Sequence, residues 1–315
     1  MAGGALIGAG PIFGLGSALG WGAGDFGGGL ISRYSSVFTA ILTSQVLGFA
    51  GTFVLLVISG EAMPGGDSMA WAAAAGASGL LGLSFFYYAL SRGTMGVVAP
   101  LAALIGAGLP VLVAVVGGED VPPVRLAGIA LALTAVVLIS LPGGERAPGE
   151  RRRVQIDKGE LPLVVLAGLG FAGFFIFSDR ATIGGETWWP LAIVRLVGLA
   201  LVALIFGVAA ARLRAQHASW RSRFGHLLGL GRLRSHAPGA VSLVVLFVLT
   251  GLGDLAGNAF FLLAKHADAF SVAVVLSSLY PVVTTILAAV LLHERLRPLQ
   301  VLGVVLATVS VPLLR

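Results

Sequence analysis

Two carboxylates, Asp25 and Asp254, stand inside long apolar stretches of this 315-residue chain. A charge at the centre of a bilayer costs roughly 2.5–3.5 kcal/mol or more, so a carboxylate placed there needs a reason. It can bind a cationic group or take up a proton in a polar cavity; otherwise it is a protonated acid hydrogen-bonded to a neighbouring helix. Asn258 follows Asp254 by one helical turn and Phe261 comes a turn later, so the three share a face. Trp21 precedes Asp25 by a turn. With Tyr87, Tyr88 and Tyr280 it could complete an aromatic-lined cavity for an amphipathic solute. Aromatic side chains in such segments also serve plain packing. Arg195 lies about two turns into an apolar run and calls for a carboxylate partner such as Asp179.

The elements that must position these residues follow from composition. With 57% hydrophobic and 11% charged residues, the chain lacks the polar surface that a water-soluble fold of this size needs. Lipid is the expected solvent. A span takes ~20 apolar residues, because the hydrocarbon core is ~30 Å thick and a helix rises ~1.5 Å per residue. Spans are expected near 10–31, 37–59, 69–90, 95–116, 124–141, 161–178, 188–210, 240–263, 269–292 and 299–314. The first lacks a preceding Lys or Arg and reads as a retained span rather than a signal peptide. Pro100, Pro110 and Pro281 fall within spans, where they kink a helix or free carbonyls.

Between the spans, 142–160 is rich in Gly, Pro and charge and reads as a solvated linker. The basic segment 211–238 alternates arginines with Trp220, Phe224 and leucines, as an interfacial helix or a solvated loop would. Its His217, His226 and His236 are spaced too widely to hold a metal on one helix. The net charge of +6 comes from arginines between apolar runs, which suits anionic lipid headgroups rather than nucleic acid. With no cysteine, thiolate chemistry is excluded. No cofactor is called for.

Several motifs fail on context. Gly22–Gly27 and Gly168–Gly173 satisfy G-x-G-x-x-G, but neither follows a strand. There is no P-loop, and His293-Glu294-Arg295 is not H-E-x-x-H. Gly22-Ala23-Gly24-Asp25 and Gly251-Leu252-Gly253-Asp254 resemble the G-x-G-D element of intramembrane aspartyl proteases, in which two acids share a proton to activate water. That reading lacks its companions: no Asp follows a Tyr, and 99–101 reads Ala-Pro-Leu. A channel or membrane scaffold is the other alternative.

Comparing the chain with itself is more informative. Leu19-Gly20-Trp21 matches Leu169-Gly170-Phe171, and Gln45–Gly48 matches Arg195–Gly198, at an offset of 150; Tyr87–Arg92 pairs with Phe260–Lys265 at 173 and Glu119 with Glu294 at 175. Two repeats of five spans must be inverted, since an odd number of crossings starts the second copy on the opposite side. The arrangement, the element ending at Arg92 and the run Ser271–Gly303, with Pro281 before Glu294-Arg295 and its shorter echo from Pro110 through Glu119 to Gly128, resemble the EamA repeat of the drug/metabolite transporter superfamily. The resemblance covers nearly the whole chain. Arg195 matches an arginine common in such repeats, whereas the first half has Gln45.

The expected molecule is an all-α membrane protein of ten helices in two inverted repeats, 10–141 and 161–314. It would be a secondary transporter of a small metabolite or drug-like solute in the plasma membrane, with proton coupling through Asp25 and Asp254 an added option. Orientation stays open. Of the 20 Lys and Arg, Arg125, Arg180, Lys265 and Arg315 fall on the side of the termini and 15 on the other, which puts both termini outside. The resemblance implies termini in the cytoplasm.

Overall fold

The computed structural model describes residues 9–92, 95–141, 161–212, 219–231 and 239–315. The linker 142–160 and, within 211–238, residues 213–218 and 232–238 lie outside these, as does the side chain of Tyr87. Among the described residues the chain is all helical. The helices are α1 (Gly10–Tyr34), α2 (Val37–Ser59), α3 (Gly66–Arg92), α4 (Met95–Val116), α5 (Pro123–Ser140) and α6 (Leu161–Ala181). They continue with α7 (Trp188–Arg212), α8 (Trp220–Leu227), α9 (Ala240–Ala267), α10 (Phe270–Ser277), α11 (Tyr280–Leu291) and α12 (Pro298–Leu313).

Among the described residues, seven helical segments are long and apolar enough to cross a bilayer, and Leu101–Val116 and Pro298–Leu313 are shorter apolar helices. Large apolar side chains such as Phe53, Ile58, Leu204, Val245 and Val305 face outward, the inverse of a water-soluble surface. Gly10–Tyr34 is long enough, at ~1.5 Å per residue, but nine of its 25 residues are Gly. Its composition serves close packing rather than contact with lipid.

One expected continuous span is broken. The segment 269–292 divides at Ser278-Leu279, and Pro281 falls in the first turn of α11. Proline is tolerated there because a first-turn N–H has no intrahelical partner. Pro110, its counterpart in the repeat, leaves α4 continuous. The helix ends also use side chains. Ser36 caps α2 by accepting from Thr39 N, while Glu61 caps α7 from another loop, its carboxylate accepting from the backbone N–H groups of Thr187, Trp188 and Trp189 at 2.8–2.9 Å. Within 211–238, α8 packs on α7, and Ser35, Ser36 and Thr39 donate to the carbonyls that end it.

Packing follows the repeat. α1 crosses α9 as α6 crosses α3; α2 also meets α9 as α7 meets α3; α10 and α11 lie on α1 as α4 lies on α6. Two further pairs, α2 with α7 and α5 with α12, join counterparts directly. Two helices approach closely only where side chains are minimal. At the α1–α9 crossing, a Cβ on Gly20 would lie 2.8 Å from the Gly253 carbonyl oxygen and closer still to Gly257 N. At the α6–α3 crossing, a Cβ on Gly170 would lie 2.8 Å from the Ser78 carbonyl oxygen and collide with Gly82. Ser78 and Gly82 thus correspond to Gly253 and Gly257, an offset of 175 in this helix. The sequence offset of 173 for Tyr87–Arg92 is two residues short, because it follows aromatic character instead of the glycines that set the contact.

Candidate solute cavity

The α1–α9 crossing brings Asp25 and Asp254 to one wall of a cavity of about 610 Å³. It is lined by α1, α2, α3, α6, α7 and α9, with α4 contributing Ala103, Gly106 and Ala107, α5 Val136, and α11 Tyr280 and Thr284. Its volume is in the range of sites for drug-sized ligands. The lining extends from mid-helix toward Gly28, Gly29 and Ser32 near the end of α1 and Val37 at the start of α2, which marks the mouth.

Asp254 is the most heavily bonded group there. Arg195 Nη1 donates to its Oδ2 at 2.6 Å and Nη2 to its main-chain carbonyl at 3.1 Å. Ser44 Oγ also donates to Oδ2, and Asn258 Nδ2 donates to Oδ1 at 3.1 Å. Charge-assisted bonds of this kind are the strong ones, and here they consume both carboxylate oxygens and two guanidinium arms. The Arg195 side chain is 4% exposed. The expected partner was wrong: Asp179 lies at the end of α6 and pairs with Lys265. Spacing along the chain could not foresee this, because Asp254 reaches Arg195 only through the α9 crossing.

Asp25 differs. It lines the cavity, is exposed to it, and makes no hydrogen bond or ion pair among the described residues. The two acids do not share a hydrogen bond, and a guanidinium already occupies Asp254, so the paired-acid chemistry of an aspartyl protease has no support in this geometry.

Trp21, Tyr280 and Asn258 also reach the cavity. Phe261 does not: it is 0% exposed and stacks behind Trp21 with ring centroids 6.1 Å apart. Tyr88 is exposed elsewhere on α3 and is not part of the lining. Sequence reasoning missed Ser44, Ser32, Thr250, Ser278 and Thr284, and the aromatic wall of Phe171, Phe174 and Phe175. A signal existed for that wall, since the 150 offset places Phe174-Phe175 opposite Gly24-Asp25. Where α2 meets α7, Gln45 and Arg195 are counterparts: a Cβ on Gly48 would meet the Arg195 guanidinium, and one on Gly198 the Gln45 amide. Gln45 Oε1 and Arg195 Nε are buried there without a partner.

The opposite end is tied shut. Lys265 Nζ lies 3.3 Å from Asp179 Oδ1 and donates to Thr182 Oγ1 at 3.1 Å, while Arg125 pairs with Asp268 at 3.3 Å. At the mouth side, Arg33 and Glu294 are 3.6 Å apart and more than half exposed, so they contribute little.

A model of the EamA-like transporter family matches residues 8–141 and again 160–315. The chain belongs to the EamA-like transporter family. The EamA-like match accounts for the internal repeat and makes this a multi-pass membrane protein of a transporter family. A solved structure described only as "Crystal structure of protein" superposes with a TM-score of 0.67 over 98% of this chain and 96% of its own, at 18% identity, which shows a shared fold. A comparison with curated proteins finds no match.

Proposed function

We propose that the protein is a secondary transporter of the plasma membrane that moves a small metabolite or drug-like solute by alternating access. The observation that carries this reading is a cavity lined by counterpart helices of both repeats, with a mouth at one end and ion pairs at the other. In the proposed topology the chain crosses ten times, α10 and α11 together forming one crossing, in two inverted five-helix units separated by 142–160. Symmetric contacts such as α1–α9 and α6–α3 support exchange of roles between the units, which would close the mouth and open the tied end.

In this reading Asp25, Asn258, Trp21 and Tyr280 face the solute, and Arg195 with Asp254 holds α7 to α9. Asp25 is also the group placed to take up a proton if transport is coupled to a gradient. Solute counterflow in liposomes tests the class: a transporter exchanges labelled for unlabelled solute, whereas passage without exchange indicates a channel. An Asp25→Asn variant that kept full gradient-driven flux would end the coupling role while leaving the transporter standing.

A further inference from the structure

We infer that the cavity takes an organic monocation with an apolar body, held by Asp25 beside the indole of Trp21. This rests on the transporter reading and adds a substrate class to it.

The charges facing the cavity are Asp25, Asp254 and Arg195. Arg195 and Asp254 cancel at 2.6 Å, and the arginine is 3% exposed, with Nη1 and Nη2 committed to Asp254. An anionic or zwitterionic solute would have to break that pair to find a cation. With Asp25 ionised, the surplus is one negative charge, on a carboxylate that is open to the cavity and bonded to no described residue. Walls of low dielectric lengthen the reach of such a charge and focus its field on the space within. A neutral solute gains nothing from it, and an anion is repelled.

The body follows from the rest of the lining. Trp21 stands one turn before Asp25 on α1, so indole and carboxylate project from the same side. Phe261 stacks behind the indole, and Phe175 and Tyr280 meet it edge-on with centroids 5.8 and 6.2 Å away. An aromatic surface beside a carboxylate favours alkylated ammonium, whose weakly hydrated charge gains from both the ring face and the acid. A small hydrated metal ion would leave the aromatic wall unused.

Binding of radiolabelled benzyltrimethylammonium to the purified full-length protein tests this, with three competitors: the unlabelled cation, its uncharged isostere neopentylbenzene, and the anion phenylmethanesulfonate. Saturable binding is expected, displaced by the cation and at least tenfold less effectively by the other two. Asp25→Asn should weaken it at least tenfold, Asp25→Glu should restore most of it, and Trp21→Leu should weaken it several-fold with the charge intact. Absence of cation binding, equal competition by the sulfonate, or an unchanged affinity in a folded Asp25→Asn protein overturns the cation assignment. If the sulfonate or the neutral isostere binds instead and shows counterflow, transport survives and the substrate class fails. If counterflow is absent across a broad panel of solutes of every charge, the transport reading fails as well.

Discussion

The two crossings at the centre of the bundle share a backbone and differ in chemistry. At α1–α9 the glycines are followed by Asp25, Asp254 and Asn258; the corresponding positions beside the α6–α3 glycines are Phe175, Gly79 and Leu83. One repeat unit therefore supplies the contact geometry twice, while the polar and aromatic walls come from where the repeats diverge. Helix packing needs only small residues at the contact, so it persists under duplication. A solute site needs one charge and an apolar surface facing it, so symmetry there would be a disadvantage. Two acids and no aromatic wall would leave an uncompensated double charge, and two aromatic walls would leave nothing to orient a solute.

The largest effect should come from breaking what the two crossings share. Gly257→Val forces new atoms into the Trp21 indole and Gly82→Val into the backbone of Gly170 and Phe171, and each should cost more than about 3 kcal/mol, above the usual range for overpacking. Thermal unfolding in detergent checks this, and a large loss at one crossing with none at the other would break the equivalence. Arg195→Met comes next. It strands the Asp254 carboxylate and should cost about 3 kcal/mol, the low end for breaking a buried pair because Asp254 is partly open to the cavity. Arg195→Met with Asp254→Leu should regain most of that stability without restoring transport.

The two walls should then separate stability from function. Asp25→Asn removes a group with no bonded partner among the described residues and should change stability by no more than about 0.5 kcal/mol, yet abolish net flux. Phe175→Leu should cost roughly 1 kcal/mol and only weaken solute affinity a few-fold. Melting curves and flux measured on the same preparations would show whether the ordering holds. The smallest effect on solute affinity is expected at the tied end, where Lys265→Met should cost about 1 kcal/mol of stability but raise labelling of cysteines placed near Thr182.

Much of this was legible in the sequence, for identifiable reasons. Apolar helical segments, the 150 offset and the odd acids in apolar surroundings are local or periodic signals, and Asp25, Asp254, Asn258, Trp21, Tyr280 and Arg195 do line one cavity. What failed was long-range. The Arg195–Asp254 pair depends on which helices cross, and chain proximity suggested Asp179 instead. Phe261 shares a face with Asp254 and Asn258, but lies where α9 turns toward Trp21 and Phe175, so periodicity could not separate cavity wall from packing layer behind it. The break in 269–292 was also only half visible: Pro281 marked its place, while Pro110 in the same context left a helix intact.

Site accessibility tests the central claim most directly, and the absence of native cysteine makes the experiment clean. Gly29 lines the mouth and has open space for a side chain, so Gly29→Cys should fold normally. In sealed vesicles, a membrane-impermeant thiol reagent should label Gly29→Cys from one side only, and labelling should slow when transported solute is present. A cysteine at Thr182, beside the Lys265 tie, should react from the opposite side and only when solute is supplied. Equal labelling of both positions from either side without solute would contradict alternating access and indicate a continuous pore.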